Sequence, residues 1–141
     1  MKKIFKKGFT LIELLVVIAI IAILISVGAV SYTRSLKLSR DSKRKTDLEQ
    51  VRQALETYRA EMGVYPTTAQ TTSILTTSYI NSIPIDPKNY LYPYVAAGAT
   101  PTTYTLCAYL EVAPVAPYTK PAGCTMSCGT AITCNYGVVQ P

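Results

Sequence analysis

The apolar positions of the chain form three patterns, and the first is a long run near the N-terminus. From Phe9 to Val30 there are 22 residues, and the only polar side chains are those of Thr10, Glu13 and Ser26. A helix of that length rises about 33 Å, at about 1.5 Å per residue, and the hydrocarbon core of a bilayer is about 30 Å thick. The pattern therefore predicts a transmembrane helix over residues 9–30.

Glu13 is the unexpected residue in this run. A carboxylate within an apolar membrane span costs about 2.5–3.5 kcal/mol on insertion scales, so such a group usually has a partner. The sequence has no Lys or Arg between Lys7 and Arg34, so the same helix provides no nearby cation. We therefore expect the partner of Glu13 to come from another chain.

The second pattern has helical periodicity and follows the first without a helix breaker, since the first proline is Pro66. After a polar and basic segment over residues 31–47, apolar side chains recur in steps of three and four at Leu48, Val51, Leu55, Tyr58 and Met62. This spacing is typical of a helix with one apolar face. We expect the helix to continue over residues 31–62 and to end at Gly63 as its C′ residue.

The third pattern lies in residues 63–141, which we expect to form a globular head. Alternating apolar and polar positions predict strands over residues 90–96, 103–112 and 132–139, and Pro93 places the first of these at a sheet edge. One short turn is expected around residues 73–76, within a threonine-rich loop. The predicted fold class is α+β, with the C-terminal half of a long N-terminal helix packed on a small antiparallel sheet.

All four cysteines lie in the last 35 residues, at Cys107, Cys124, Cys128 and Cys134. An even set in a small domain beyond a membrane segment indicates two disulfides in an oxidising compartment. The spacings lack the Cys-x2-Cys pairs that are typical of zinc sites, so disulfides are favoured over a metal site. The sequence does not select among the three possible pairings. Our working prediction is a nested one, with Cys107 bonded to Cys134 and Cys124 bonded to Cys128.

The formal charge of +6 describes the N-terminus more than the head. Four of the basic residues are Lys2, Lys3, Lys6 and Lys7, and from Pro66 onward the charged side chains sum to zero: Asp86, Lys88, Glu111 and Lys120. A neutral head argues against DNA binding, because contacts to phosphates need positive charge. The chain has no histidine, and two isolated carboxylates in the head provide no acid–base pair, catalytic triad or metal cluster. We predict neither an enzyme nor a cofactor site.

The N-terminal segment Lys6-Lys7-Gly8-Phe9-Thr10-Leu11-Ile12-Glu13, followed by the apolar run, resembles the class III signal of type IV pilins and type II secretion pseudopilins. Residues 63–67, Gly-Val-Tyr-Pro-Thr, are similar to a segment of many such proteins. The resemblance implies that a prepilin peptidase removes residues 1–8 by cutting between Gly8 and Phe9. It also implies that Phe9 is then N-methylated and that Glu13 pairs with the Phe9 amine of a neighbouring copy. A secretory signal peptide has only about 7–15 apolar residues, and a plain anchor explains neither Gly8 nor Glu13.

The function that the resemblance implies is that of a pilin, the structural subunit of a type IV pilus-like filament. Its partners would be copies of itself, the prepilin peptidase, the pilus assembly machinery and, before assembly, membrane lipid. The precursor would lie in the cytoplasmic membrane with its head outside, and the filament would lie on the cell surface. The alternatives are a type II secretion pseudopilin, a competence-type minor pilin that binds DNA, and a surface protein that never polymerises.

Calcium separates two of these alternatives, because the heads of major secretion pseudopilins in this family often bind it through clustered acids. The ion takes about 6–8 oxygen ligands. Asp86 and Glu111 alone are a poor ligand set, so we expect the disulfides to hold the head where calcium holds it in those relatives. This comparison favours a pilus subunit over a secretion pseudopilin.

Overall fold

The computed structural model describes residues 8–140, and most of the predicted leader, residues 1–7, lies outside the described part. The chain divides into two compact units between Leu36 and Lys37, and each is described separately. One helix, α1, runs over Leu11–Met62, as the apolar run and the amphipathic pattern together predicted. Helix α1 ends where expected. Gly63 has a φ of 78° and donates its N–H to the Arg59 carbonyl at 2.8 Å, which is the geometry of a glycine C′ residue.

The second unit contains the rest of the secondary structure. A short helix, α2, spans Thr71–Ser78. Five short strands follow: β1 (Tyr94–Ala96), β2 (Tyr104–Ala108), β3 (Ser127–Gly129), β4 (Ile132–Thr133) and β5 (Tyr136–Val139). Strands β1, β2 and β5 form an antiparallel sheet in the order β1-β2-β5, and β3 pairs with β4 as a separate hairpin. The α+β prediction is confirmed.

The strands are shorter than predicted because side chains and loops take the place of ladder partners. In the first predicted strand the Leu91 N–H donates to the Cys128 carbonyl at 2.7 Å, and the ladder with β2 begins only at Tyr94. Beyond the end of β2, the amides of Glu111 and Val112 donate to the Asp41 carboxylate. The third predicted strand is divided into β4 and β5, and β3 was not predicted.

Helix α2 replaces the single turn that was predicted there. Threonine and serine have low helix propensity because their hydroxyls compete for backbone groups. Here those hydroxyls bond back to carbonyls of the preceding turn. Thr76 Oγ1 donates to the Thr72 carbonyl at 2.8 Å and Thr77 Oγ1 donates to the Ser73 carbonyl at 2.6 Å. Leu75, which is fully buried, provides the packing that holds the helix against the core.

The main core lies between α1 and the face of β2 that carries Tyr104, Leu106 and Ala108. Leu48, Val51 and Leu55 of the predicted stripe are buried in it, at 0%, 4% and 0% exposed. Towards the end of the stripe, Tyr58 is only partly buried and Met62 is 58% exposed. Met62 is the last residue of α1.

The opposite face of β2 packs on a second core made of the four cysteines. Two disulfides are present, as predicted, but the predicted nested pairing is wrong. Cys107 is bonded to Cys124, and Cys128 is bonded to Cys134. The β3–β4 hairpin pairs Ser127 with Thr133 and so brings Cys128 close to Cys134.

Cys107, by contrast, lies opposite Gly137 in the sheet. A Cβ atom at Gly137 would overlap the Sγ atom of Cys124, so the glycine leaves the space that this sulfur fills. Cys134 precedes β5 and is not opposite Cys107.

Candidate assembly helix and head ion cluster

The first part of α1 exposes a continuous apolar surface. Between Leu11 and Val27, the exposed fraction of its large apolar side chains ranges from 45% at Val17 to 83% at Leu11. By length and composition this helix could cross a membrane. Soluble proteins rarely leave apolar patches of more than a few hundred Å² exposed. The surface therefore requires lipid or other apolar helices around it.

The residues of the predicted cleavage site lie just before this helix. Gly8, Phe9 and Thr10 are non-helical and exposed, and the Phe9 side chain is 77% exposed. The backbone around the Gly8–Phe9 bond is therefore neither helical nor buried.

Glu13 has hydrogen-bond partners within its own chain. Its Oε2 atom accepts from the Thr10 N–H at 2.8 Å and from the Thr10 hydroxyl at 2.7 Å. In return, the Glu13 N–H donates to Thr10 Oγ1 at 3.3 Å. This reciprocal pattern is a capping box, in which a Thr or Ser before the helix and a Glu or Gln three residues later satisfy unpaired N–H groups.

The capping box corrects part of the sequence argument. Glu13 does not depend on another chain for hydrogen bonds, although the described part of its helix offers no cation before Arg34. Thr10 is thus a capping residue that the sequence analysis missed. The signal that could have found it is the Thr-x-x-Glu spacing directly before an apolar run.

A cluster of ionic groups lies in the second unit, around the fully buried guanidinium of Arg44. Arg44 Nε lies 2.5 Å from Asp86 Oδ2, and Arg44 Nη1 lies 2.7 Å from Asp41 Oδ1 and 3.1 Å from Glu111 Oε1. Three carboxylates from three separate segments therefore converge on one side chain. We refer to Arg44, these three carboxylates, Arg40 and Lys88 as the ion cluster.

Two further cations complete the cluster at Glu111. Arg40 donates Nε to Oε1 at 2.6 Å and Nη2 to Oε2 at 2.8 Å, which is a two-point contact. Lys88 Nζ donates to Oε2 at 3.0 Å. The Arg40 hydrogen bonds, helped by those from Lys88 and Arg44, outweigh burial and hold the pKa of Glu111 well below its usual range.

Backbone amides occupy the remaining positions around the other two carboxylates. Asp41 accepts from the N–H of Glu111 at 2.9 Å and of Val112 at 2.8 Å. Asp86 accepts from the N–H of Lys88 at 2.6 Å and of Tyr90 at 3.3 Å. Burial acts to raise the pKa of Asp86, but the bonds from Arg44 and these two amides lower it overall. The description of Asp86 and Glu111 as isolated is therefore wrong, and Asp41 and Arg44 were not anticipated as their partners.

The ion cluster does not fit a calcium ion. Its carboxylate oxygens face guanidinium, ammonium and amide N–H groups, which are donors and cannot ligate a cation. A metal would have to displace the buried guanidinium of Arg44 and leave its positive charge without a partner. Among residues 8–140 no group of three or more Asp, Glu, His or Cys side chains is arranged to hold a metal ion.

Tyrosine hydroxyls donate hydrogen bonds to two further acids of α1, Asp47 and Glu56. The Tyr92 hydroxyl donates to Asp47 Oδ2 at 2.9 Å. Glu56 accepts from Tyr65 at 3.0 Å and from Tyr104 at 3.3 Å. These bonds join the helix to the head along the main core, so the neutral, tyrosine-rich composition of the head supports its packing.

Comparisons with known proteins match both parts of the chain. Residues 5–29 match the prokaryotic N-terminal methylation motif, and residues 31–110 match the family described as type II secretion system protein G. The chain belongs to the type II secretion system protein G family. It is a pilin-like structural subunit of the class that forms type IV pilus-like filaments.

Two relatives carry the same description, "Type II secretion system core protein G". The protein from Vibrio cholerae serotype O1 is 33% identical over 112 residues, which cover 70% of this chain and 77% of the relative. The protein from Pseudomonas aeruginosa is 27% identical over 107 residues, which cover 66% and 75%. No solved structure gives a significant match.

Membership of the protein G family confirms the predicted resemblance and the structural class of function. It favours the secretion alternative over the more specific prediction of a pilus subunit. The poor calcium ligand set had favoured a pilus subunit. Since the family favours a secretion pseudopilin, this chain differs in its ligand set from the calcium-binding heads that the resemblance implied. The methylation motif ends at residue 29, one residue before the end of the predicted membrane segment.

Proposed function

We propose that this chain is a pseudopilin of a type II secretion system, made as a membrane precursor and polymerised through the first part of α1. The observation that carries the proposal is the exposed apolar surface between Leu11 and Val27, in a chain whose second unit has its own core and disulfides. A head that folds by itself leaves this surface free for lipid in the precursor and for other subunits in the filament.

In this proposal residues 1–8 are a leader that a prepilin peptidase removes, and residues 9–30 are the membrane and filament segment. Residues 31–62 continue the helix into the head, which comprises residues 63–141. Transfer of the apolar segment from lipid to neighbouring helices exchanges one apolar environment for another. The hydrophobic contribution is then nearly neutral, so polar contacts decide the register.

Glu13 is the residue proposed to set this register. Cleavage between Gly8 and Phe9 creates a positively charged amine one residue before Thr10. A carboxylate can form a charge-assisted hydrogen bond with such an amine, and this bond is stronger in apolar surroundings than in water. In the filament the amine is supplied by the Phe9 of a neighbouring copy. The capping box holds the Glu13 carboxylate at the start of the helix, close to its proposed site of action.

The two disulfides support a head on the oxidising side of the cytoplasmic membrane, since disulfides form and persist in oxidising compartments. In this proposal the filament grows on that side. The partners proposed for it are other pseudopilins, the prepilin peptidase and the secretion assembly machinery. We infer that the chain itself has no catalytic role and needs no cofactor.

The test separates the charge of Glu13 from its capping role. Glu13→Gln keeps the capping box, which accepts Gln as well as Glu, but removes the negative charge. We expect the precursor to be inserted and cleaved normally, with filament yield at least about tenfold lower than wild type. A single charge-assisted bond of about 1.5–3 kcal/mol corresponds to roughly a tenfold or larger change in an equilibrium. The measurement compares sheared or cross-linked filaments with the membrane pool, and mass spectrometry of the mature chain records the start at N-methylated Phe9.

Thr10→Ala is the matched control, because it removes the side-chain half of the capping box and keeps the charge. We expect cleavage and most of the assembly to survive in this variant. Equal assembly of Glu13→Gln and wild type would contradict the charge-pairing role. A mature protein that begins at Met1, or far beyond Phe9, would contradict the whole proposal.

A further inference from the structure

The ion cluster joins α1 to two parts of the head that are distant from it along the chain. Arg44 and Asp41 lie on α1, Asp86 lies in the loop after α2, and Glu111 lies just beyond β2. The Arg44 contacts with Asp86 and Glu111 connect residues 42 and 67 positions apart. The cluster thus ties α1 to the loop after α2 and to the segment after β2.

The charges within the cluster are balanced. The three carboxylates of Asp41, Asp86 and Glu111 face the three cationic groups of Arg40, Arg44 and Lys88. The side chains of Arg44 and Asp86 are both 0% exposed. Among the buried side chains of residues 8–140, every polar atom has a hydrogen-bond partner. A balanced and fully bonded cluster can be buried at little cost, whereas removal of its central charge leaves carboxylates unpaired.

This arrangement resembles what a bound divalent cation does in a small domain. Such an ion gathers carboxylates from separate segments and neutralises them at one point. Here a guanidinium occupies that point. Its planar fork of five N–H groups contacts all three carboxylates, with hydrogen bonds that are directional as well as charged.

We propose that Arg44 is the built-in cation of this head, and that the head therefore folds and keeps its stability without calcium or any other divalent ion. The backbone amides of Glu111, Val112, Lys88 and Tyr90 support the proposal, because they fix the carboxylates around Arg44. This role of Arg44 lies within a single subunit and does not depend on which filament the subunit joins.

The experiment is thermal unfolding of the full mature chain in mild detergent, with either 5 mM calcium chloride or a chelator. The chain has 11 tyrosines and no tryptophan, so near-ultraviolet circular dichroism of the tyrosines reports packing in the head. For the wild-type chain we expect midpoints that agree within about 1 °C in the two conditions, because a protein is stabilised only by ions that it binds.

Two variants test the role of Arg44 directly. Arg44→Met removes the charge at similar volume, and we expect the midpoint to fall by at least about 10 °C, since a buried carboxylate set that loses its cation is strongly destabilised. Arg44→Lys keeps the charge but not the fork, so we expect a smaller fall. The matched control is Arg52→Met on the same helix. Arg52 pairs with Glu49 in a partly exposed contact, so its loss should shift the midpoint by no more than about 3 °C.

Either of two results would overturn the proposal. One is a wild-type midpoint that calcium raises by more than a few degrees, and the other is an Arg44→Met midpoint equal to that of Arg52→Met. If Arg44→Met does not accumulate as folded protein, the calcium comparison on the wild-type chain and the Arg44→Lys midpoint still decide the outcome. The measurement is made on unassembled subunits, so failure here is distinct from failure of the pseudopilin function.

Discussion

The first part of α1 and the head differ in where their apolar side chains lie and in how far their polar groups reach for partners. Between Leu11 and Val27 the large apolar side chains are at least 45% exposed, and the polar groups of Thr10, Glu13 and Ser26 bond within the adjacent turn. In residues 37–140, apolar side chains fill two cores, and Arg44 of the ion cluster bonds to carboxylates that are distant along the chain. The first region leaves its apolar surface uncovered, whereas the second buries its apolar side chains within its own fold.

The difference indicates how a filament subunit can fold before it assembles. Stability of the head comes from contacts that the single chain makes with itself. The large apolar side chains between Leu11 and Val27 are all exposed and belong to neither of the two cores. Mutations in the two regions should therefore have separable effects, and the following predictions test this separation.

The largest effect is expected from leucine-to-alanine substitutions at one buried and one exposed position of α1. Leu55 is 0% exposed and Leu24 is 67% exposed. Leu55→Ala should lower the free energy of unfolding of the head by about 2–5 kcal/mol, because it leaves a cavity in the main core. Leu24→Ala should change that free energy by less than about 0.5 kcal/mol. Denaturant unfolding in mild detergent, followed by the tyrosine signal, measures both values. Similar losses for the two variants would show that the apolar segment takes part in folding of the head.

The disulfides should give the next largest effect, and only in the head. The Cys107–Cys124 bond closes a separation of 17 residues and the Cys128–Cys134 bond closes one of 6. In the chain-entropy account, replacement of the first pair with serine lowers the free energy of unfolding by about 3 kcal/mol, and replacement of the second pair lowers it by about 2 kcal/mol. Peptide mapping without reductant checks the pairing. A peptide that links Cys107 to Cys134 would restore the nested arrangement and contradict the structure.

The smallest effect is expected from acid, through the ion cluster. The pKa values of Glu111 and Asp86 are lowered in the folded head. A carboxylate with a lowered folded-state pKa stabilises the protein above its unfolded-state pKa, which is about 4, and this stability is lost as the pH falls further. The free energy of unfolding should therefore decline between about pH 5 and pH 3.

Glu111→Gln is the matched variant for this measurement. It removes one of the carboxylates with a lowered pKa, so its decline over the same pH range should be shallower than that of wild type. Parallel curves for the two proteins would show that the acid sensitivity arises elsewhere in the chain.

Much of the architecture could be predicted from short-range pattern. The extent of α1, its end at Gly63, the apolar surface before Val30 and the alternation along β2 all depend on residues within a few positions of one another. Helix and strand periodicities are local, and so are glycine C′ residues. The capping box of Thr10 and Glu13 is equally local. It was missed because Glu13 was considered only as a charge.

The disulfide pairing and the ion cluster are nonlocal, and only the tertiary structure showed them. Residue types indicated two disulfides, but which sulfurs meet depends on sheet register, and Gly137 opposite Cys107 made the space for Cys124. Asp86 and Glu111 looked isolated because their partner, Arg44, is 42 and 67 residues away. The sequence by itself determined that part of this chain would need an apolar environment outside its own fold, since no arrangement of a short head can bury so long a run. Only the tertiary structure decided which cysteines and which charged side chains pair in the head, because such pairs form between side chains that are distant in sequence but share one buried volume.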